Sequence, residues 1–537
     1  MESGKYYLKP NVVLEPLFDK WYAWSHLISP VTAALNITGR HLKIMTSYIQ
    51  ATQVHIAAVK NPKMRGGPFM DFPSPKTKEI KELREQTLKS QSRLIELSDA
   101  IKELNKMLEQ KANGFSLEPL YAEIPQPLKG LIELHYDLNN QASFRFFEAL
   151  LYDSDYYNTH SQSVAMWITN NDERPFCLST PRLNDENAIH FNIPFHHPVI
   201  DEIGKMKRTA KELTELKNIL EINDKNEALF NSFFTKEAPP IYQNYSGDKI
   251  RMRYFGHACI LIETKNVSVL IDPLISYYGY TSSVEHFSDV NLPDVIDYVL
   301  ITHNHQDHIL LETLLPLRHK IRNIVVPRSG KSIQDPNLKL MFNNIGFNQI
   351  IELDEMEAIT FDNVKIMGIP FTGEHGDLNI QTKLCYHLQI EEFSMMFFAD
   401  SNIVEPILYQ HIHKTIGDVD VIFLGMECDG APISWLYGPL LNKELRRDQD
   451  NSRRFSGSNF ERGINLVNIF NPKEIYVYAM GQEPWVEFIS SIKYTDQSNP
   501  IIQSDKLIKE CMKRGIVAER LFGEKELLYE YYNAEVN

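Results

Sequence analysis

After residue 248 the hydrophobic positions come in short β-branched runs broken by Gly, Asn, Asp and Pro: Ile250 to Tyr254, Cys259 to Glu263, Val267 to Asp272, Tyr298 to Thr302, Asn323 to Val326, Val364 to Ile369, Ser394 to Ala399, Val419 to Leu424 and Glu474 to Ala479. Runs of this length between turn residues predict strands. Helical stretches such as Leu310 to Leu317 lie between several of them, so the last 290 or so residues read as an α/β layered domain.

The first 240 or so residues have a different texture, mostly helical, with Pro-rich breaks at Pro62 to Pro75 and Pro119 to Pro127. Thr77 to Gln110 predicts one long polar helix with apolar residues at Ile80, Leu83, Leu94, Leu97, Ile101, Leu104 and Leu108. The later spacings of three, four, three and four leave one narrow apolar seam. A coiled-coil hairpin or a homodimer contact would use such a seam, and so would a single helix lying on its own domain; the pattern does not choose. Residues 186 to 200 read as extended, and a second charged helix runs from Asp201 to about Asn223. Ala238-Pro-Pro-Ile-Tyr-Gln-Asn-Tyr-Ser-Gly-Asp248 reads as a linker. The expected division is therefore 1–246, a mainly helical α+β domain, and 247–537, with no internal repeat or low-complexity tract.

A length of 537 residues exceeds what one core supports, which agrees with two domains. An aromatic share of 11% argues for folded chain almost throughout. The net charge of −15 disfavours nonspecific binding to nucleic acid or anionic lipid. Five scattered cysteines, Cys177, Cys259, Cys385, Cys428 and Cys511, fit reduced thiols better than a disulfide framework. With neither a secretory signal at the opening Met-Glu-Ser-Gly-Lys-Tyr-Tyr nor a membrane-length apolar run, the expected compartment is the cytoplasm.

Leu300-Ile-Thr-His-Asn-His-Gln-Asp-His308 carries the chemistry. His303, His305, Asp307 and His308 place four potential metal ligands within six residues, on a turn leaving an apolar strand. Packing does not explain such a cluster, because grouped imidazoles and a carboxylate need water or a cation.

His-x-His-x-Asp-His resembles the signature of the metallo-β-lactamase superfamily, and Tyr254-Phe-Gly-His-Ala-Cys-Ile-Leu-Ile-Glu263 with Val269-Leu-Ile-Asp-Pro273 resembles the opening hairpin of that fold. The resemblance implies an αββα sandwich for the C-terminal half, a supporting role for Asp272 behind the metal loop, and a bridging role for Asp400, which closes the apolar strand Met395-Met-Phe-Phe-Ala-Asp400. His257 is either a core histidine or a ligand. The hydrolases of the superfamily usually place a histidine at the next strand end and another late in the chain. Here Ile366 to Thr372 leads into Gly373-Glu374-His375-Gly376-Asp377, and after Asp400 the only histidines are His411 and His413, on a predicted helix. The late strand ends instead in Met480-Gly-Gln-Glu-Pro-Trp485. More carboxylate and fewer imidazoles favour iron over zinc.

The helical N-terminal half together with His-x-His-x-Asp-His, Thr-Gly-Glu-His-Gly-Asp, Ala-Asp-Ser-Asn and Gly-Gln-Glu-Pro-Trp resembles, over nearly the whole chain, the diiron aminoacyl β-hydroxylase family of chloramphenicol biosynthesis. That resemblance implies an O2-dependent diiron monooxygenase acting on the β-carbon of an amino acid tethered to the thiolation domain of a nonribosomal peptide synthetase. It implies His303, His305 and Glu374 on one iron, Asp307 and His308 on the other, Asp400 between them, and His375 as either a ligand or a neighbour. Glu374 would be the catalytic carboxylate, opening a coordination position. Electrons would come from an external donor such as a ferredoxin and its reductase, since no flavin, haem or iron–sulfur motif is present. The rival readings are a dinuclear zinc hydrolase, with Glu374 or His375 in the usual histidine position, and a scaffold with a vestigial site.

Two lesser signals remain. Asp429-Gly-Ala-Pro-Ile-Ser-Trp-Leu-Tyr-Gly-Pro439 reads either as a substrate-pocket loop or as ordinary loop packing. Arg446, Arg447, Arg453 and Arg454 are either a solvated run or a dock for an acidic carrier or its phosphate.

Overall fold

The computed structural model describes residues 4–240, 242–280 and 282–530. The first three residues of the opening stretch, and Ile241 within the expected linker, lie outside these.

The expected β-branched runs become strands of two seven-stranded sheets. The first runs, edge to edge, Ile350–Leu353, Ile321–Pro327, Ile296–Leu300, Ser268–Ile271, Ile260–Glu263, Lys249–Tyr254 and Lys525–Glu530. The second runs Ala358–Phe361, Val364–Pro370, Leu384–Ile390, Phe393–Phe397, Val421–Gly425, Glu474–Tyr478 and Val517–Arg520. Side chains alternate between faces as a pleat requires. Ile260, Ile262, Val269 and Ile271 meet Ile366, Leu388, Met395 and Phe423 between the sheets, whereas Leu261 and Leu270 point outward. Helices Pro406–Ile416, Phe460–Phe470 and Asn499–Lys513 cover the outer face of the second sheet. Leu311–Leu317, Leu338–Asn344 and the N-terminal half cover the first. The result is an αββα sandwich preceded by a mainly helical α+β domain.

That domain contains a four-stranded antiparallel sheet in the order Trp21–Tyr22, Val12–Phe18, Gln162–Ile168 and Ala188–Phe191. Val12–Phe18 is wholly buried despite Glu15, because Arg174 and Arg182 reach the Glu15 carboxylate at 2.6 and 2.9 Å. Arg174 also grips Glu312 of the C-terminal domain with two hydrogen bonds, at 2.9 and 2.8 Å, so one buried guanidinium ties the halves together. A paired charge of this kind is tolerated inside only while every partner stays in place.

Two expected helices are interrupted. The seam helix is Thr77–Ser90 and Ser92–Lys111, broken at Gln91, whose amide donates to Ser161 Oγ at 2.8 Å. Its apolar residues pack inside the chain, Leu97 and Leu104 fully buried, so the seam leaves no free face for a dimer. The second charged helix divides into Val199–Lys205 and Leu213–Ile219, with Lys211 between them exchanging backbone hydrogen bonds with Tyr6. Among the described residues no helix is long and apolar enough to cross a membrane.

At Gly204 the halves approach closely: a Cβ there would lie 2.1 Å from the carbonyl oxygen of Pro316. Gly204→Ala is therefore expected to cost about 1–3 kcal/mol through forced displacement, seen as a lowered midpoint in denaturant titration. A second expectation concerns pH. Burial lifts the Asp19 carboxyl from 3.8 to about 6, although Thr87 Oγ1 donates to it at 2.6 Å. Its protonation therefore contributes stability that is complete below the ordinary value and is lost as pH rises through 6. Asp19→Asn suits the left-handed backbone there (φ 48°) and should match the wild type in acid but exceed it above pH 6. The gain, read from paired unfolding curves at several pH values, should approach about 3 kcal/mol.

Candidate metal centre

The site gathers at one edge of the sandwich, where strands Ser268–Ile271, Ile296–Leu300, Val364–Pro370 and Phe393–Phe397 hand over to loops. Six non-glycine residues in these and the adjoining loops, His257, Asp272, Glu374, Asp377, Ala399 and Ala479, hold φ between 40° and 65°. Left-handed backbone at such residues costs of order 1–3 kcal/mol each and persists where a surrounding structure over-determines it.

Asp272 organises the metal loop. It is fully buried, Oδ1 accepts the Thr302 N–H at 2.8 Å, and Oδ2 accepts Thr302 Oγ1–H at 2.6 Å and His308 Nδ1–H at 2.8 Å. Thr302 Oγ1, its own proton committed to Asp272, can accept from His303 Nδ1 at 3.0 Å. Both rings are thereby held in the tautomer that leaves Nε2 with a lone pair, the usual way a ligand histidine is oriented from behind.

Those lone pairs converge. His303 Nε2 lies 3.0 Å from His305 Nδ1, which is 3.5 Å from Glu374 Oε1. The far nitrogen of His305 is 3.4 Å from the Tyr437 hydroxyl. Asp400 Oδ2 lies 3.3 Å from His308 Nε2 and 3.8 Å from His303 Nε2. Three sets of donors able to hold a cation result: His303, His305 and Glu374; His303, His308 and Asp400; and His257, Asp307 and His308. In the third, His257 Nδ1 already accepts the Gly481 N–H at 3.2 Å, and its Nε2, with no hydrogen-bond partner among the described residues, faces Asp307 Oδ2 3.3 Å away.

His375 belongs to none of these sets. Its ring stacks on His305 with centroids 4.6 Å apart, and its Nδ1 is 2.9 Å from Glu374 Oε2 but off the hydrogen-bonding line. The late strand supplies backbone donors in place of a histidine: the Ala479 N–H reaches the His257 carbonyl at 2.8 Å. His413 stays at the surface, paired with Asp418.

The electrostatics fit a missing positive charge. Burial, reinforced by the neighbouring imidazoles, holds His303 well below its ordinary range, and burial brings His305 to about 4. Burial alone would lower His308, yet Asp400, Asp272 and Asp307 raise it far above the ordinary histidine value. Burial also lifts Glu374 to about 7. Glu374 Oε2 and Asp400 Oδ1 are buried without a hydrogen-bond partner, a costly state that coordination relieves. Oxygen- and nitrogen-rich, with three carboxylates and three imidazoles in reach, the donor set suits iron.

A cavity of about 480 Å³ opens onto these groups. The loop Asp429 to Pro439 supplies a wall through Gly430, Pro432 and Trp435, held by Arg454 Nε donating to the Gly430 carbonyl at 2.6 Å. Arg453 Nε likewise reaches the Gly376 carbonyl at 2.7 Å, so two of the four clustered arginines brace site loops. Glu427 also lines the cavity, accepting the Tyr494 hydroxyl at 3.1 Å, and burial lifts its carboxyl to about 8. Sequence reasoning passed over Glu427, although it follows the apolar strand Val421–Gly425 much as Asp400 follows its own. Thr302 and Tyr437 carried no comparable signal.

Two helix-flanked sheets with His-x-His-x-Asp-His at one strand end and a carboxylate facing it from the other sheet define a metallo-β-lactamase-fold metalloenzyme, and the "Beta-lactamase superfamily domain" family matches residues 268–431. The "Diiron non-heme beta-hydroxylase N-terminal domain" family matches residues 7–239. Over 526 residues the chain is 36% identical to the 4-amino-L-phenylalanyl-[CmlP-peptidyl-carrier-protein] 3-hydroxylase of Streptomyces venezuelae, covering 96% of this chain and 98% of that protein. The crystal structure of CmlA, a diiron β-hydroxylase from Streptomyces venezuelae, superposes with a TM-score of 0.91 at 35% identity, covering 97% of this chain and 99% of that one. A Pyrococcus abyssi UPF0173 protein is 30% identical over 155 residues, 28% of this chain and 63% of its own length. The chain therefore belongs to the diiron β-hydroxylase family, whose cofactors are two iron ions and O2.

Asp272→Asn keeps a residue suited to the left-handed backbone but removes the charge that orients His308. Metal affinity is expected to fall about 10–100-fold in chelator competition, with the circular dichroism spectrum unchanged.

Proposed function

We propose that this chain hydroxylates the β-carbon of an amino acid held as a thioester on the phosphopantetheine arm of a nonribosomal peptide synthetase thiolation domain. The observation that carries the reading is Glu374: a carboxylate stands where hydrolases of the fold present a histidine, 3.5 Å from His305, with its second oxygen unpartnered. The name of the Streptomyces venezuelae relative, a hydroxylase of a carrier-bound aminoacyl group, supports the substrate class. The cavity wall carries both signs of charge, Lys63, Arg65 and Arg454 beside Glu427, Asp429 and Asp400, which suits a polar aminoacyl group.

In this reading His303, His305 and Glu374 would hold one iron and Asp307 and His308 the other, with Asp400, which faces His303 and His308, contributing its carboxylate, and His257 and His375 as supporting neighbours. When bound, the iron pair supplies the activation of O2; the overall reaction converts C–H, O2, two electrons and two protons to C–OH and water. The residues themselves divide the work unequally. His305 is wedged between the His375 ring at 4.6 Å and the Phe455 ring at 5.5 Å, so it cannot swing away. Glu374 has two oxygens and a flexible stem, so it can move from two-oxygen to one-oxygen contact without leaving. Phe455, Trp435 and Met480 keep the cavity wall apolar and limit water at the site. An external donor, such as a ferredoxin with its reductase, supplies the two electrons.

Protein produced in iron-replete medium should hold two irons per chain, with near-ultraviolet absorption of an oxo-bridged pair. With reductant and an aminoacyl-loaded thiolation domain it should form the β-hydroxy product, and Glu374→Ala should reduce that turnover to background. Two zincs with reductant-independent ester or lactam hydrolysis, or full hydroxylation by Glu374→Ala, would overturn the reading.

A further inference from the structure

Beside the metal cavity lies a second chamber of about 680 Å³, and both fall within the roughly 300–1,000 Å³ range of ligand pockets. One wall comes from the N-terminal domain, at Arg40, Lys43 and Phe69, the other from the C-terminal segment around Pro439 and Leu445. The two spaces share Gly66, Gly67, Pro432 and Trp435 as their common partition. One hydrogen bond closes it: Trp435 Nε1–H donates to the Gly66 carbonyl at 2.9 Å.

We infer that the pantetheine arm of the carrier enters through this outer chamber, and that the Trp435–Gly66 contact is the gate it displaces to reach the metal cavity; this rests on the carrier-bound substrate proposed above. Three observations favour the route. The partition is thin on one side, since Gly66 and Gly67 present no side chains; their backbone is held by the Gly67 N–H donating to the Met64 carbonyl at 3.1 Å, and Gly66 holds φ 69° where a Cβ would come within 3.1 Å of Ser491 Cβ. On the other side only the indole has to move. Half-buried Arg40 donates from Nη2 to the carbonyls of Trp435 and Leu436 at 2.8 Å each and pins the backbone, while the ring lies between Phe176 at 6.0 Å and Phe455 at 6.3 Å. Finally, Lys43 is exposed on the outer chamber with no carboxylate partner among the described residues, which suits the phosphodiester at the base of the arm; the acids lining the same space are Glu444 and Asp450, the latter engaged by the Ser434 N–H and hydroxyl.

Such an arrangement explains why the chamber needs both domains. An arm with a phosphate at one end and an amide-linked chain behind it meets a cation at the mouth, then apolar and backbone surface, then the polar metal cavity. Gate opening exchanges one indole–carbonyl hydrogen bond for contacts with the pantetheine amides.

The probe is free 4′-phosphopantetheine, compared with pantetheine, on reduced protein first shown to hold two irons; the readout is the rate of iron removal by 2,2′-bipyridine. 4′-Phosphopantetheine should slow removal more than pantetheine does. Lys43→Glu should weaken the phosphopantetheine effect about tenfold in half-saturating concentration, the scale of one charge-assisted phosphate contact. Trp435→Ala should speed removal about tenfold, and Trp435→Phe, which keeps a ring but loses the Nε1–H, should fall between, so a poorly folding alanine variant leaves the test intact. Equal protection by the two probes, unchanged rates in both Trp435 variants, or loss of protection in Lys63→Glu in place of Lys43→Glu would overturn the route, the last by placing entry directly at the metal cavity. Protein that holds no iron would instead count against the proposed function.

Discussion

His303 Nε2 and His305 Nδ1 face each other at 3.0 Å in the protein interior, the other nitrogen of each ring beside a hydroxyl, so two ring nitrogens point at one place. The nearby Glu374 Oε2 and Asp400 Oδ1 are buried with no hydrogen-bond partner, which leaves their negative charge uncompensated without a cation. The surrounding structure is arranged to hold that unfavourable geometry: the Asp272 clamp, the left-handed backbone at several loop residues, the ring of His375 packed on His305. Cation binding is the compensation, and the strained loops keep the donors at ligand spacing.

The parts of the site legible in the sequence are those whose chemistry is local. His303, His305, Asp307 and His308 sit within six residues, and Asp400 ends a strand too apolar to end in a carboxylate for packing reasons. Thr302 and Tyr437 were invisible because a hydroxyl that fixes a tautomer looks like any other hydroxyl until the ring beside it is placed. His257 could not be resolved either: its role depends on the Gly481 N–H, 224 positions away, taking Nδ1.

The same distinction runs through the fold. Central strands such as Ile296–Leu300 and Val421–Gly425 announce themselves because both faces are buried. Leu384–Ile390 hides because His387 is interior yet satisfied by Ser394 Oγ at 2.7 Å across the pair of strands. Lys525–Glu530 hides because it is an edge strand with alternating exposed positions, and its pairing with Lys249–Tyr254 joins opposite ends of the sandwich. Val12–Phe18 hides for a third reason, Glu15, whose burial makes sense only once Arg174 and Arg182 are seen. The charged seam of Leu94 to Leu108 shows the converse limit: its period was plain, but its partner within the chain was not.

Both halves of the chain are needed to build one reaction vessel. Ser25 of the N-terminal domain donates to Asn304 inside the metal loop, and His26 meets the Tyr437 ring at 5.8 Å, so N-terminal residues touch both the loop that carries the histidines and the tyrosine behind His305. Arg174, bound to Glu15 on one side and Glu312 on the other, fixes the spacing. A hydrolase of this fold needs only a fixed metal-bound nucleophile and tolerates an open mouth. Oxygen chemistry on a tethered substrate demands more: a ligand that can yield a position without departing, and walls that admit an arm while limiting water. Under the proposed reading the glutamate answers the first demand and the added domain the second, so the two departures from the hydrolase pattern serve one reaction.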